Sequence, residues 1–114
     1  MPQEPLQIDD LSSAEGQRVL RLSGPIVITN LFQFQSMVRA DTSKTLILDL
    51  SHVPYIDSAG IGALVGAYVT HQKEGRNLAL VGVTERVRNT MQVTRVETFF
   101  KFYDSVAAAQ ASAA

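Results

Sequence analysis

The stretch that decides the fold is TLILDLSHVPYIDSAGIGALVGAYVTHQK, residues 45–73. Its first part, Thr45–Leu50, is nearly continuous apolar sequence, as expected of a central strand that is covered on both faces. Its second part predicts a helix from about Ser58 to Lys73 that ends near Gly75, because glycine commonly follows the last turn of a helix. A buried strand followed directly by a helix is typical of an α/β fold.

Strands and helices alternate on both sides of this unit. The other predicted strands are Leu6–Asp10, Arg18–Ser23, Asn77–Gly82 and Phe99–Tyr103. Three further helices are predicted from their caps: one begins after Thr29 or Asn30 and runs to about Ala40, one begins after Thr84 and runs to about Val93, and the last begins after Asp104. The first two strands form a hairpin around a turn at 12–17. We therefore predict a single domain over residues 1–114, with a single-layer mixed, mostly parallel sheet of about five strands and about four helices.

The composition fits one globular domain. The chain has 114 residues, 46% of them apolar and 18% charged, and a net charge of −1. It has no basic stripe for nucleic acid, no polybasic run for a membrane surface, and no apolar run near the ~20 residues that span a bilayer. The first ten residues do not resemble a secretory signal. We expect a cytoplasmic domain that neither binds nucleic acid directly nor inserts into a membrane.

The helix predicted from Ser58 has two different faces. The face expected to pack on the sheet consists of Ile61, Leu64, Val65, Tyr68 and Gln72. Very small side chains form a second stripe, which we call the small-residue stripe: Ala59, Gly62, Ala63, Gly66 and Ala67. Glycine costs ~1 kcal/mol relative to alanine inside a helix, so two glycines need a reason. Either another backbone of the domain approaches closely here or a second protein docks on the stripe.

The start of this helix has two candidate caps in a row, Asp57 and Ser58. A cap of either type stabilises a helix by roughly 0.5–2 kcal/mol, and the sequence does not decide which residue fills the position. A serine hydroxyl at the positive end of a helix dipole also stands where backbone N–H groups lack partners, a place that tolerates a phosphate. Capping and modification of Ser58 both remain open from the residues alone.

Enzymatic and metal chemistry find little support. Asp57, Ser58 and either His52 or His71 supply the residue types of a hydrolytic triad. The hydrolase elbow, however, needs glycine two positions before the serine, and Ile56 stands there. The two histidines show no ligand spacing and are interpreted as surface residues, and no phosphate-binding loop is present. The sequence predicts no catalytic residue, no metal and no cofactor.

The segment IDSAGIGALVG at 56–66, placed after an apolar strand, closely resembles the signature of the STAS domain, and more narrowly that of bacterial anti-sigma factor antagonists. Other segments resemble the family in matching order: the strand end at 21–24, the strand at 77–82 and the strand at 99–102. The resemblance implies a STAS-like fold and a regulator that acts by binding another protein.

The resemblance also implies a phosphorylation switch at Ser58. In such proteins the partner is both a serine kinase and an anti-sigma factor. The unphosphorylated antagonist binds it and releases the sigma factor, phosphorylation breaks the complex, and a phosphatase of the PP2C type resets the cycle. Carried onto this sequence, the partner-binding surface comprises Asp57, Ser58, Ala59, Gly60, Gly62, Ala63 and Gly66.

The chain departs from the family pattern after Gly24. Members commonly carry Glu-Leu-Asp at the next three positions, whereas this chain has Pro25-Ile26-Val27. An alternative function for a STAS protein is therefore kept. It is a subunit of a lipid- or anion-transport assembly that binds an ATPase partner through the same helix face without a phosphate cycle.

Overall fold

The computed structural model describes residues 5–12 and 16–113, the side chain of residue 113 excepted. The elements, in chain order, are β1 (Gln7–Asp10), β2 (Gln17–Ser23), α1 (Phe32–Ala40), β3 (Thr45–His52), α2 (Ser58–Lys73), β4 (Asn77–Val81), α3 (Glu85–Val93), a short 3-10 helix (Glu97–Phe99), β5 (Lys101–Tyr103) and α4 (Val106–Ala113). The tip of the predicted hairpin turn, at 13–15, lies outside the described residues.

The strands form one five-stranded sheet in the order β1-β2-β3-β4-β5. β1 pairs antiparallel with β2, and the remaining three pairings are parallel. β3 is central, and its first six residues, 45–50, are all buried. The prediction of a mixed, mostly parallel sheet of five strands with four helices is confirmed.

Both faces of the sheet are covered, but unequally. Leu46, Leu48 and Leu50 of β3 belong to a large apolar cluster that also contains core residues of α1, α2 and α3. Ile47 points to the other face and packs in a smaller cluster with Ala109 of α4. The continuous apolar run of β3 follows from this, because successive side chains of a strand point to opposite faces.

The buried face of α2 differs from the predicted one in one important residue. Ile61 and Leu64 are buried as predicted, but Gln72 is exposed and His71 is buried instead. The interpretation of both histidines as surface residues was therefore wrong for His71, which lies seven residues after Leu64 on the same helix face. Its Nδ1 donates to the carbonyl oxygen of Ala67 at 2.7 Å, which satisfies one of the two ring nitrogens in the buried position.

The end of α2 is as predicted. Gly75 has a φ of +67°, and the backbone N–H of Arg76 donates to the carbonyl of His71 at 2.8 Å. This pattern ends a helix with a left-handed residue, which glycine adopts without steric cost.

The predicted cap of α1 was wrong. The cap position is Leu31, which makes no side-chain cap bond. Asn30 instead holds the loop before the helix, because its Oδ1 accepts from the Val27 N–H at 3.1 Å and its Nδ2 donates to the Pro25 carbonyl at 2.8 Å. A cap-type residue here stabilises a turn, as asparagine commonly does.

Near the C-terminal end, the cap of α3 is confirmed and two other predictions were wrong. The Thr84 hydroxyl accepts from the Val87 N–H at 3.3 Å. Residues 97–99 form a 3-10 helix, so β5 contains only Lys101–Tyr103. The hydroxyl of Ser105, rather than the carboxylate of Asp104, accepts from the N–H of Ala108 at the start of α4, at 3.1 Å.

Candidate functional site

The site is built where two loops meet at the carboxyl edge of β2 and β3. The N–H of Ile26 donates to the carbonyl of Tyr55, and the N–H of Asp57 donates back to the carbonyl of Ile26, both at 3.2 Å. Ile26 and Ile56 thus form an isolated parallel bridge, and both side chains are buried. The loop after β2 is therefore fixed against the residues that lead into α2.

Asp57 is the N-cap of α2. Its Oδ1 accepts from the N–H of Gly60 at 2.8 Å, which satisfies one of the free donors of the first turn. Its Oδ2 accepts from the N–H of Ile28 at 3.0 Å. The Asp57 carboxylate thus caps α2 and also holds the neighbouring loop. Of the two candidate caps, Asp57 and Ser58, it is therefore Asp57 that caps the helix.

Ser58 is the first residue of α2, and it is exposed. Because Asp57 fills the cap position, the hydroxyl of Ser58 is not needed for capping. Within residues 5–12 and 16–113 it has no hydrogen-bond partner. It therefore presents a free hydroxyl beside the positive end of a sixteen-residue helix dipole.

Neither histidine is arranged to activate Ser58. His52 is the last residue of β3, and its Nδ1 lies 3.1 Å from the hydroxyl oxygen of Ser51. His71 is buried and bonded to Ala67. Within the described part of the chain, no group of three or more His, Cys, Asp or Glu residues could hold a metal ion.

The remaining predicted site residues divide into enclosed and open positions. A Cβ added to Gly60 would meet the carbonyl oxygen of Ile26 at 2.3 Å, whereas one added to Gly62 or Gly66 would meet nothing within 4 Å. Ala59 and Ala63 are half-buried, and Ala67 is buried in the core. Close approach of another backbone therefore explains Gly60, and it does not explain the two glycines inside the helix.

The open glycines line a groove between α1 and α2. Its volume is about 420 Å³. We call it the α1–α2 groove; its lining residues are Phe34, Gln35, Val38, Arg39, Asp41, Thr42, Gly62, Ala63, Gly66, Ala67, Thr70, Glu74 and Arg76. Ser58 precedes Gly62 by four residues, so it lies on the same face of α2, one turn before the groove.

Two large apolar side chains, one in the loop before α1 and one at the start of α1, were missed by the sequence analysis. Ile28 is 68% exposed and Phe32 is 76% exposed, and the backbone of Ile28 is bonded directly to Asp57. The signal was present in the sequence, because Pro25-Ile26-Val27-Ile28 is an apolar run. The loop beside Ser58 is therefore uncharged and apolar.

The other face of the sheet carries a buried carboxylate at the same edge. Asp49 accepts from the Ser51 hydroxyl at 2.6 Å, from the Ser51 N–H at 3.0 Å and from Nε of Arg21 at 3.1 Å. Burial of Asp49 opposes ionisation, but these hydrogen bonds outweigh it and hold the pKa of its carboxyl below the usual value. Asp49 therefore acts as an ionised structural group on the face of the sheet opposite α2.

None of the helices in the described ranges is both long enough and apolar enough to cross a membrane.

Comparison with known proteins gives the family and the fold. The model of the STAS domain family matches residues 10–109. The anti-sigma-B factor antagonist of Staphylococcus aureus is 25% identical over 67 residues, which are 59% of this chain and 62% of that protein. The match thus spans less than two thirds of that relative's length.

Three solved structures share the fold. A candidate anti-sigma factor antagonist from Thermotoga maritima has a TM-score of 0.85 at 23% identity, with 93% of each chain covered. The phosphorylated form of the Bacillus cell fate determinant SpoIIAA has a TM-score of 0.72 at 15% identity, with 94% of this chain and 98% of that chain covered. The murine Slc26a9 anion transporter has a TM-score of 0.78 at 24% identity, with 90% of this chain but 18% of the transporter covered.

Proposed function

Since the chain belongs to the STAS domain family, we propose that it is an anti-sigma factor antagonist, a protein that works by binding an anti-sigma factor and is not an enzyme. In this proposal residues 1–114 form one STAS domain that acts in the cytoplasm. Its partner is both an anti-sigma factor and a serine kinase, phosphorylation of Ser58 ends the complex, and a PP2C-type phosphatase restores it.

The observation that carries the proposal is the free, exposed hydroxyl of Ser58. Asp57 caps α2 with one carboxylate oxygen and fastens the loop at Ile28 with the other. The first turn of the helix is thus capped without the Ser58 side chain, and a kinase can phosphorylate its hydroxyl without breaking the hydrogen bonds of the cap. The name of the S. aureus relative supports the antagonist function, and the phosphorylated form of a protein with the same fold supports the modification.

The electrostatics explain how a phosphate would end a complex. A phosphoserine adds roughly −1.5 to −2 charges at pH 7. At Ser58 that charge would stand beside the side chain of Asp57 and the apolar loop at 25–28, and a partner seated there would have to desolvate it. A loss of about 3 kcal/mol would weaken binding more than 100-fold. The fold itself would persist, because a helix N-terminus favours an anion by ~0.3–1 kcal/mol.

The test is calorimetric titration of an anti-sigma factor kinase, encoded in the genome that carries this chain, with four forms of the protein. We expect the wild-type protein and Ser58→Ala to bind with similar affinity. Ser58→Asp and the Ser58 phosphoprotein should bind at least 100-fold more weakly. Ser112→Asp, on α4 across the sheet, is the matched control and should bind like the wild type. Equal affinities for all forms would rule out the switch.

A second candidate function is a subunit of a lipid- or anion-transport assembly with an ATPase partner. The fold match to part of an anion transporter favours it. Mass spectrometry of the protein from its own cells separates the two candidates. Phosphate at Ser58 under some growth condition supports the antagonist, whereas co-purification with an ATPase and no phosphate under any condition supports the transport subunit.

A further inference from the structure

His71 is a buried polar residue with only one of its two ring nitrogens bonded to the protein. It lies in the last turn of α2 and is 1% exposed. Because the carbonyl oxygen of Ala67 can only accept a hydrogen bond, Nδ1 of the ring carries the hydrogen that joins them. Nε2 is shielded from solvent and has no hydrogen-bond partner among residues 5–12 and 16–113. A buried polar atom without a partner is costly, so Nε2 calls for a ligand.

A small cavity lies against this ring, at the edge of the sheet opposite Ser58. Its volume is about 60 Å³. It is lined by residues of α2, of the turn after it, of the 3-10 helix and of the first parts of β4 and β5: Tyr68, His71, Gln72, Arg76, Asn77, Leu78, Phe99 and Lys101. A water molecule needs about 10–15 Å³ of such space, whereas a cavity that takes up benzene measures about 150 Å³. The cavity therefore fits a ligand of very few atoms.

The chemistry of the lining selects the kind of ligand. With the hydrogen on Nδ1, Nε2 of the neutral ring is an acceptor, so its ligand must donate a hydrogen bond. A metal ion, an ammonium group or a second proton on the ring would place a further positive charge beside Arg76 and Lys101. No Asp or Glu is among the described residues that line the cavity, and a buried charge needs a partner of opposite sign. A simple anion has no hydrogen to donate, so a neutral donor remains.

Other polar groups of the same cavity can complete the bonds of such a ligand. The amides of Gln72 and Asn77 and the hydroxyl of Tyr68 belong to the lining. The Asn77 amide is only weakly engaged elsewhere, because its Nδ2 lies 3.5 Å from Oγ1 of Thr45. A buried water typically makes about three hydrogen bonds to such groups. The site thus offers water one acceptor that nothing else satisfies and several further partners.

From these features we propose that the cavity is an internal hydration site, in which one ordered water donates a hydrogen bond to Nε2 of His71. The same water is held by polar groups at the end of α2 and the start of β4, and so joins the helix to the sheet at this edge. Both ring nitrogens are then bonded, which explains how a histidine occupies a core position of α2. The proposal is independent of the proposed function, because none of these residues belongs to the Ser58 site.

The first experiment is nitrogen-15 NMR of the histidine side chains, at a pH above the range in which histidine ordinarily titrates. We expect His71 to carry its proton on Nδ1 and its Nε2 signal to show an accepted hydrogen bond. Lys101→Met and Gln72→Leu remove the two long side chains that could donate in place of water, and the hydrogen-bonded signal should persist in both. A proton on Nε2, or return of the signal to that of an unbonded nitrogen in either variant, would overturn the proposal.

The second experiment locates the water itself. A high-resolution crystal structure of the wild-type protein should show a water oxygen about 2.7–3.2 Å from Nε2 of His71. His71→Phe keeps a ring but removes the acceptor, and oxygen-17 relaxation dispersion should then show one long-lived water fewer than in the wild type. His52→Phe, at the exposed histidine, is the matched control and should lose none. No water density at Nε2, or equal dispersion in the wild type and a folded His71→Phe, would contradict the proposal; if His71→Phe does not fold, the wild-type crystal structure and NMR signal decide.

Discussion

The first turn of α2 and the two turns after it use the same residue types for opposite purposes. In the first turn, Gly60 is enclosed, and both carboxylate oxygens of Asp57 accept hydrogen bonds from backbone N–H groups of its own domain. In the next two turns, Gly62 and Gly66 face open space in the α1–α2 groove. The difference teaches that a glycine-rich helix can be packed against its own domain in its first turn, where Ser58 lies, and open to solvent in the turns that follow.

The enclosed side of this comparison is tested most severely by Gly60→Ala. The new Cβ would lie 2.3 Å from the carbonyl oxygen of Ile26, which is backbone and cannot rotate away. Overpacking of this kind costs typically 1–3 kcal/mol and occasionally more, so we expect about 3 kcal/mol in the free energy of unfolding, measured by urea titration. A loss below about 1 kcal/mol would show that the loop after β2 can move away from α2.

The second test concerns Asp49, the buried carboxylate at the same edge of the sheet but on the face opposite α2. Asp49→Asn keeps the shape of the side chain but removes the negative charge to which Arg21 and Ser51 donate hydrogen bonds. Hydrogen bonds to charged groups contribute roughly 1.5–3 kcal/mol, so we expect a loss of about 2 kcal/mol at pH 7.

The loss of stability in Asp49→Asn should depend on pH, and the direction follows from the lowered pKa of Asp49. Because the pKa of Asp49 is lower in the folded protein than in the unfolded chain, its stabilisation is fully present above the unfolded value of about 3.9 and disappears as the pH falls through the folded value. The difference between wild type and Asp49→Asn should therefore shrink between pH 5 and pH 2 in urea titrations. Asp10→Asn, at an exposed ion pair with Arg18, is the control and should change stability less at pH 7.

The third test separates the cap from the charge of Asp57. Asp57→Ala removes the acceptor for Gly60 and for Ile28, and loss of a helix cap costs about 1 kcal/mol. We expect a loss of about 1.5 kcal/mol, together with faster hydrogen exchange at the amides of both residues. Asp57→Asn keeps one acceptor oxygen, which can still cap at Gly60, but it loses the charge and turns a donor nitrogen toward the N–H of Ile28. We expect a smaller loss than in Asp57→Ala, with faster hydrogen exchange mainly at Ile28. Equal losses in the two variants would mean that the charge or the bond to Ile28, and not the cap, stabilises this turn.

The sequence predicted the parts of this architecture that depend on periodicity and missed those that depend on loop contacts. The apolar run of β3 and the helix start at Ser58 were correct, because burial on both faces and a strand-to-helix junction leave local patterns. The burial of His71 was missed, since a single bond to the Ala67 carbonyl is invisible in the sequence. The role of Asn30 was missed for the same reason, because caps and turn stabilisers are the same residue types.

The sequence predicted which residues form the candidate site, but it did not predict the role of each one. The sequence placed Asp57 and Ser58 together and left open which one caps, because both are good caps. Only the position of the Ile28 amide shows that Asp57 has two roles. Likewise, the small-residue stripe had two explanations, and close approach of another backbone of the domain does not apply to Gly62 or Gly66, where an added Cβ would meet nothing within 4 Å.

The smallest expected effect tests the open side of the comparison. Gly66→Ala adds a Cβ that meets nothing within 4 Å, and alanine is favoured over glycine inside a helix by about 0.5–1 kcal/mol. We therefore expect the isolated domain to gain about that amount in urea titrations, the opposite sign to Gly60→Ala in the same helix. A loss of stability would mean that α1 closes over Gly66 in solution, and the groove would then be a packed contact rather than a surface for a partner. A gain would show that this glycine is retained at a cost to the domain alone, which is expected only if something outside the domain needs the space.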